Sequence, residues 1–156
     1  MLMMKKSMFP FAAAAMMICV LASLACHRVS PDAPNPIVGA WFVKTPGASF
    51  PYHMFVFSAD GTMHQANPDA GDPNTSDSDG MGVWIKNGDR IKGKFVEVTA
   101  DRATRSFVSR GEISFDIKVD GDVFIGPASA RFYDVNGTVI RGPLSASLEG
   151  QRVRPE

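Results

Sequence analysis

Three side chains of this 156-residue chain are candidates for acid–base chemistry, namely His53, Glu97 and Tyr133. Each lies in a stretch where apolar and polar residues alternate, which is typical of β-strands. His53 has the parity of Phe55 and Phe57, so if those rings face inward it lies near the mouth of a cavity. There it could orient a polar ligand group or act as a base. The alternative is a histidine at a strand end that hydrogen-bonds to water or backbone.

The catalytic residues stay open, because the chain contains no strong catalytic motif. Glu97 and Arg131 share strands with inward apolar residues, but both could instead form ion pairs at the rim. With only His53 and His64 in the folded part and no thiol there, a three-histidine zinc site is excluded. Gly-x-Ser-x-Gly, a Gly-rich phosphate loop and HExxH are also absent from the sequence.

Several aspartates are concentrated in the polar segment 67–80, and their carboxylates could bind Ca²⁺. In a calcium loop of the EF type that starts at Thr75, Asp77, Asp79 and Gly80 fit positions 3, 5 and 6. Position 1 is a threonine, however, and position 12, which needs an acidic residue, is Lys86. We therefore predict no metal and no other cofactor. The composition of the segment predicts a polar flap across one mouth of the folded domain.

From Ile37 onward, alternation recurs between turn signals, and no stretch keeps apolar residues at helical spacing for two turns. Asn-Gly-Asp at 87–89 and Asp-Gly-Asp at 120–122 suit tight hairpins, where positive φ is needed. We predict an all-β fold, an eight-stranded antiparallel up-and-down barrel, because closure leaves no unprotected edge. The strands are predicted near 38–44, 52–58, 62–67, 82–87, 90–99, 106–119, 122–134 and 138–153.

Parity separates an inward from an outward face on each strand. On the last strand the even residues from Ile140 to Leu148 are predicted to face inward, with Arg141 opposite them. Small inward residues on the last two strands favour a cavity that holds one small ligand. These are Gly126, Ala128, Ala130, Gly142, Ala146 and Gly150. The alternative is a lumen filled by the rings of Phe55, Phe57, Phe95 and Phe115. The candidate ligand-binding residues are His53, Phe55, Phe57, Phe115, Ala128, Ala130, Arg131 and Ala146.

The first 25 residues have the three parts of a secretory signal. A pair of lysines precedes an apolar run, which ends at a small-x-small exit over 23–25. We predict a signal peptide over 1–25, a proline-rich tether over 26–36 and a barrel domain over 37–156. The alternative is an uncleaved membrane anchor.

Cys26 directly follows the exit and resembles the invariant cysteine of bacterial lipoprotein signals, which receives a diacylglyceryl group on sulfur. The resemblance implies a membrane-anchored lipoprotein of the periplasm or outer membrane, and the alternative is a free secreted protein. Cys19 lies inside the apolar run, so the mature chain can form no internal disulfide.

The charge balance gives no reason to expect a nucleic-acid partner. Sixteen Lys and Arg balance sixteen Asp and Glu, and removal of the two signal lysines leaves fourteen against sixteen. Such a chain lacks the basic excess that phosphate backbones require. With 45% hydrophobic and 21% charged residues, the composition is that of one globular domain.

Gly39-Ala40-Trp41 at the head of the first strand resembles the Gly-x-Trp signature of the lipocalin and wider calycin group. In those barrels the Trp closes one end and a basic residue after the last strand stacks across its ring. The resemblance gives these structural roles to Gly39, Trp41 and Arg152. The chain departs from the group in lacking its second motif and its disulfides.

The run Phe57–Thr62, the pair Asn67-Pro68 and the run Gly80–Trp84 are similar to small bacterial exported lipocalin-like proteins, mostly uncharacterised. This likeness covers 37–153. It implies a lipocalin-like barrel and brings almost no chemistry.

Two functions of different classes fit these features. The leading hypothesis is a binding module that holds a small hydrophobic or amphipathic molecule in the lumen. The alternative is a small barrel enzyme, a cyclase or isomerase, that uses the same cavity with His53, Glu97 or Tyr133 as acid or base. A filled barrel that acts through its surface is a third hypothesis, and fold analogy does not choose among them.

We predict that residues 1–25 are absent from the mature protein and that Cys26 is its first residue. The basic pair, the apolar run and the small-residue exit all end there. Intact-mass analysis of protein from the membrane fraction tests this. The mass of the full chain, or a start well downstream of Cys26, would contradict it, whereas an unmodified Cys26 would contradict only lipidation.

Overall fold

A computed structural model describes residues 35–48, 50–67 and 72–156. The predicted signal peptide, Cys26 and most of the predicted tether lie outside these residues. The described part of the chain contains nine β-strands and no helix. It accordingly has no helix long and apolar enough to cross a membrane.

The strands follow one another with short connections, except between β3 and β4. They are β1 Gly39–Lys44, β2 Tyr52–Phe57, β3 Thr62–Ala66, β4 Thr75–Asp77, β5 Gly80–Asn87, β6 Arg90–Asp101, β7 Phe107–Asp120, β8 Val123–Tyr133 and β9 Val139–Arg152. All pairings are antiparallel between neighbours around the sheet, and pairing of β1 with β9 and of β6 with β7 closes it. The prediction of an eight-stranded antiparallel up-and-down barrel is confirmed.

The short strand β4 is an addition to the predicted strands. Thr75–Asp77 pairs with residues 99–101 of β6, while β5 pairs with the rest of the same strand, so β4 and β5 lie in line along β6. Residues 75–77 were expected to belong to a polar flap, and that expectation is wrong for them. The strand forms because the end of β6 extends beyond β5 and offers unpaired backbone groups. Residues 68–71 of the predicted flap lie outside the described residues.

Two-residue turns connect the long hairpins, as the sequence predicts. Asn87 pairs with Arg90, and Asp120 pairs with Val123, so each turn has only two central residues. Gly88 and Gly121 adopt φ values of 65° and 57°, a region that costs glycine little and other residues more.

Trp41 and Arg152 join the first and last strands at one end of the barrel. They are opposite each other in the register, and the guanidinium carbon lies 4.2 Å from the centroid of the indole ring. Arg152 Nη1 donates to the Val38 carbonyl at 2.8 Å, and Nη2 donates to the Pro36 carbonyl. Trp41 Nε1 donates to the Ile37 carbonyl at 2.7 Å, and the Trp41 side chain is fully buried. The pair closes the end of the barrel where β1 begins and β9 ends.

Aromatic rings fill the half of the lumen next to this closed end. Phe57 packs edge to face on Trp84, Phe115 and Phe124, with centroids 6.0 to 6.4 Å apart. Glycines make room for these rings: a Cβ on Gly150 would overlap the ring of Phe124. The alternative of a lumen filled by rings therefore describes this half, through Phe57 and Phe115.

A bulge near the start of β9 reverses the predicted parity there. Ala130 pairs with Leu144, but the next inward residue of β8, Phe132, pairs with Arg141. Two residues, Gly142 and Pro143, therefore lie between these inward positions of β9, where regular alternation has one, and Gly142 adopts a φ of 102°. Ile140 is 54% exposed and Arg141 lines the lumen. The prediction of Ile140 inward and Arg141 outward is wrong, because strict alternation was carried through a Gly-Pro bulge.

Replacement of Trp41 by Ala should lower the free energy of unfolding by about 3–5 kcal/mol, as truncation of a buried aromatic does. The loss is close to the whole stability of a small domain. Denaturant unfolding with the change in midpoint tests it. Phe42→Ala is the matched control, because Phe42 is the next residue, is 46% exposed on the outer face and stacks on Tyr52 with ring centroids 5.4 Å apart. Equal denaturant midpoints for Trp41→Ala and wild type would show that Trp41 does not stabilise the closed end of the barrel.

Candidate functional site

The half of the lumen away from Trp41 contains a cavity of about 490 Å³. It opens at the end where β1, β3, β6 and β8 finish. The β1–β2 connection contributes Thr45 to Ala48 and Phe50 to its side. The cavity is therefore built by the ends of several strands, each of which contributes an inward residue.

One wall of the cavity is apolar and lined by small side chains. Ala128 and Ala146 are opposite each other in the register of β8 and β9, and Ala130 is opposite Leu144. The short methyl side chains leave the space that larger residues would occupy. Ala128, Ala130 and Ala146, which the sequence placed at a cavity, do line it. Gly126 and Gly150, which were predicted to face the same cavity, lie instead in the filled half of the lumen.

The floor consists of aromatic rings. Phe55 and Phe95 both line the cavity and pack edge to face, with centroids 5.6 Å apart. Phe57 and Phe115 lie beneath them in the core and do not line the cavity. An apolar ligand group would therefore rest against the sides of Phe55 and Phe95 that face the cavity.

His53 is held by Gln65, a buried residue of β3 that the sequence did not single out. Gln65 Oε1 accepts the backbone N–H of Gly80 at 3.0 Å, which leaves Gln65 Nε2 to face His53 Nδ1 at 3.2 Å. An amide N–H can only donate, so Nδ1 is the acceptor and the ring is neutral with its proton on Nε2. Burial lowers the pKa of His53, against a smaller upward effect of a hydrogen bond to the backbone of Phe50.

Glu97 contributes a carboxyl group with unusual proton affinity to the cavity. Burial, and secondarily the negative charge of Asp77, raises the pKa of Glu97 to about 7. Its carboxyl group has no hydrogen-bond or ion-pair partner among the described residues. Asp77 itself accepts a hydrogen bond from Thr99 Oγ1 at 2.6 Å. The cavity therefore contains a carboxyl group whose pKa is about 7 and, elsewhere in its lining, a neutral imidazole.

Four consecutive strands contribute one row of inward residues across the cavity: Glu97, Gly111, Phe132 and Arg141 are neighbours in the register of β6 to β9. A Cβ on Gly111 would lie 3.0 Å from Glu97 Cγ and 3.1 Å from the edge of the Phe132 ring. Glu97 and Phe132 thus approach each other over the glycine. The guanidinium carbon of Arg141 lies 5.5 Å from the centroid of Phe132.

The predicted site residues divide between the cavity, the core and the outer surface. Those that line the cavity are His53, Phe55, Glu97, Ala128, Ala130 and Ala146. Arg131 and Tyr133 instead line a groove on the outer face with Lys94 and Glu112. Tyr133 is covered there by Arg110, whose guanidinium carbon lies 4.9 Å from its ring centroid. The barrel wall separates Tyr133 and Arg131 from the cavity groups.

Several polar residues of the cavity lining were missed by the sequence analysis: Gln65, Asp77, Arg141, Thr45, Asn67, Ser129 and Ser145. Gln65 shares parity with the buried Met63, which could have indicated an inward side chain. The Gly142-Pro143 pair inside a strand could have indicated the bulge that turns Arg141 inward. Asp77 gave no such signal, because its strand consists of three polar residues.

Within the described residues, no group of three or more His, Cys, Asp or Glu could hold a metal ion. Asp69, one of the aspartates considered for Ca²⁺, lies outside them. His64 faces outward beside Asp79, with its Nε2 3.3 Å from the carboxylate.

A scan of the chain against protein-family models finds no match, and searches of curated proteins and of solved structures find none either.

Replacement of Glu97 by Gln should weaken the pH dependence of stability between about pH 5 and about pH 8. The pKa of Glu97 is about 7 in the folded protein and 4.5 in the unfolded chain. As pH rises, the unfolded chain therefore loses the Glu97 proton before the folded protein does. The folded protein therefore loses stability as pH rises through this window, by on the order of 2 kcal/mol after allowance for solvent at the cavity mouth.

The measurement is the free energy of unfolding in denaturant at several pH values. His53 acts with the opposite sign in wild type and variant alike, so their difference isolates Glu97. Glu112→Gln is the matched control, because Lys94 lowers the pKa of that surface carboxyl group. The same pH slope in Glu97→Gln and wild type would contradict the assignment of a raised pKa to Glu97.

Proposed function

We propose that the protein binds one small amphipathic molecule in the open half of its barrel. The observation that carries the proposal is the cavity of about 490 Å³, a size typical of small-molecule sites. It lies beside a filled half that stabilises the barrel without it. A barrel that acted only through its surface would have no need of a space lined by Ala128, Ala130 and Ala146.

The distribution of side chains supports an amphipathic ligand. The deep part of the cavity is apolar, with Phe55, Phe95 and Leu148 among its lining residues. Polar and charged side chains are placed on strand ends nearer the mouth, including Glu97 and Arg141. An apolar group of the ligand would leave water in the deep part, while a polar group stays near the mouth.

We propose further that the protein is a lipocalin-like barrel of bacterial origin, exported and tethered to a membrane through a lipid on Cys26. The closed barrel and the Trp41–Arg152 contact at one end support the lipocalin-like classification. The charge and apolar pattern of 1–25 supports export. These features concern the class and location of the protein, and a fold of this class does not by itself determine the ligand.

A second candidate function is an isomerase or cyclase in the same cavity, and Glu97 is the observation that favours it. A carboxyl group with a pKa of about 7 can both donate and accept a proton at neutral pH. The neutral His53 in the same cavity could serve as its partner. Native mass spectrometry of the purified protein distinguishes the two functions. A co-purifying molecule that is released unchanged supports binding, and one converted by wild type but not by Glu97→Gln supports catalysis.

Replacement of Ala128 and Ala146 together by Leu should abolish binding of the neutral fluorescent probe N-phenyl-1-naphthylamine, while the free energy of unfolding changes little. The added side chains enter the cavity from opposed positions on β8 and β9. In a packed lumen the same changes would cost about 1–3 kcal/mol per site. Probe fluorescence and denaturant unfolding are measured on the same samples.

The matched control is Val123→Leu with Gln151→Leu, an opposed pair on the outer face of the same two strands. It should bind the probe as wild type does. Absence of probe binding by wild type, together with a large loss of stability in the Ala128 and Ala146 variant, would mean that the lumen is closed. The proposed function would then fail.

A further inference from the structure

We propose that the ligand is an amphiphile with a carboxylate headgroup and that Arg141 binds this headgroup. The inference rests on the proposed function, because it concerns the same cavity, and it adds the chemical class of the ligand and the residue that selects it.

The backbone of β9 is irregular at the point that brings Arg141 into the lumen. Regular alternation after Leu144 would place Ile140 inward, and the register shift at residues 142–143 places Arg141 there instead, opposite Phe132. The shift leaves Ile140 54% exposed to water and places Arg141, which remains an exposed residue, in the lining of the cavity mouth. Both changes oppose burial of apolar surface, so the bulge does not serve the core. Bulges commonly aim a side chain at a binding site.

Arg141 has no carboxylate partner among the described residues. Its guanidinium group lies over the ring of Phe132, which stands between it and Glu97 in the cross-strand row. A cation over an aromatic face is held in place without losing its hydrogen-bond donors. The donors of Arg141 therefore remain open to a ligand in the cavity.

The other titratable groups that line the cavity do not pair with Arg141. Burial raises the pKa of Glu97 to about 7, and the carboxylate of Asp77 accepts a hydrogen bond from Thr99 instead. His53 is neutral and bound to Gln65. Because a guanidinium group keeps its proton at all accessible pH values, Arg141 is the permanent cation of the site.

A carboxylate matches this cation in shape and in charge. Its two oxygens accept two parallel N–H bonds from a guanidinium group, which is a strong and directional arrangement. Asp77 and Glu97 face the same cavity and disfavour a headgroup with two negative charges, such as a phosphate monoester. The chain of a monovalent carboxylate would then extend along Ala130 and Ala128 toward the aromatic floor.

The experiment measures displacement of N-phenyl-1-naphthylamine from the full-length protein at pH 7 by three ligands with the same alkyl chain: decanoate, decanol and decylamine. Wild type should bind decanoate about tenfold more tightly than decanol, and decylamine no more tightly than decanol. Arg141→Gln should bind the probe and decanol as wild type does and lose the preference for decanoate. Arg131→Gln is the matched control, because Arg131 lies on the outer face, and it should keep the preference.

Each outcome separates this inference from the proposed function. Wild type that binds the probe without preferring decanoate, or that prefers decylamine, overturns the inference and leaves the cavity function intact. So does Arg141→Gln that keeps the preference. Wild type that does not bind the probe overturns the proposed function itself. If Arg141→Gln does not fold, Arg141→Lys is used, and it should lose most of the preference because a lysine cannot form the paired hydrogen bonds.

Discussion

The lumen of the closed barrel has to hold both the hydrophobic core and any ligand, because the described fold has no second layer to pack against. Each ring that stabilises the barrel takes space from a ligand. The chain meets this constraint by dividing the lumen along its length. Phe57, Trp84 and Phe124 fill one half, where Gly150 leaves room for the ring of Phe124. Alanines line the other half, so the cavity exists without loss of the core that holds the strands together.

The electrostatics of the cavity follow from the same division. Side chains at the boundary between rings and water are partly desolvated, and this is the main reason why the pKa of Glu97 rises and that of His53 falls. His53 is therefore neutral around pH 7, whereas Glu97 titrates near that pH. Arg141 keeps its charge and lies against an aromatic ring. The cavity thus combines an apolar interior with one permanent cation, which is the chemical basis of the proposed ligand class.

Irregular strand pairing brings polar side chains to the cavity that regular strands would leave outside it. β4 and β5 are separate strands that both pair with the long strand β6. This arrangement brings Asp77 close enough to Glu97 for its charge to raise the pKa of that carboxyl group. The bulge in β9 turns Arg141 inward. In the filled half the registers run without a shift, and the contacts there are those of a packed core. Irregularity is therefore concentrated at the open end, where the polar groups of the cavity are.

The sequence by itself determined the strand number of the barrel, the hairpin turns and most of the inward faces. These depend on short-range patterns: parity along a strand, as in Ile113, Phe115 and Ile117, and glycine at turns such as Gly121. Parity also made His53 and the alanines candidate ligand-binding residues, while Glu97 was a candidate acid or base for which an ion pair at the rim stayed open. Only the tertiary structure decided that Gln65 orients His53, that Tyr133 and Arg131 lie outside, and that Arg141 faces inward. Those outcomes depend on cross-strand register and on a bulge, and register is set by pairing between distant segments that local alternation does not encode.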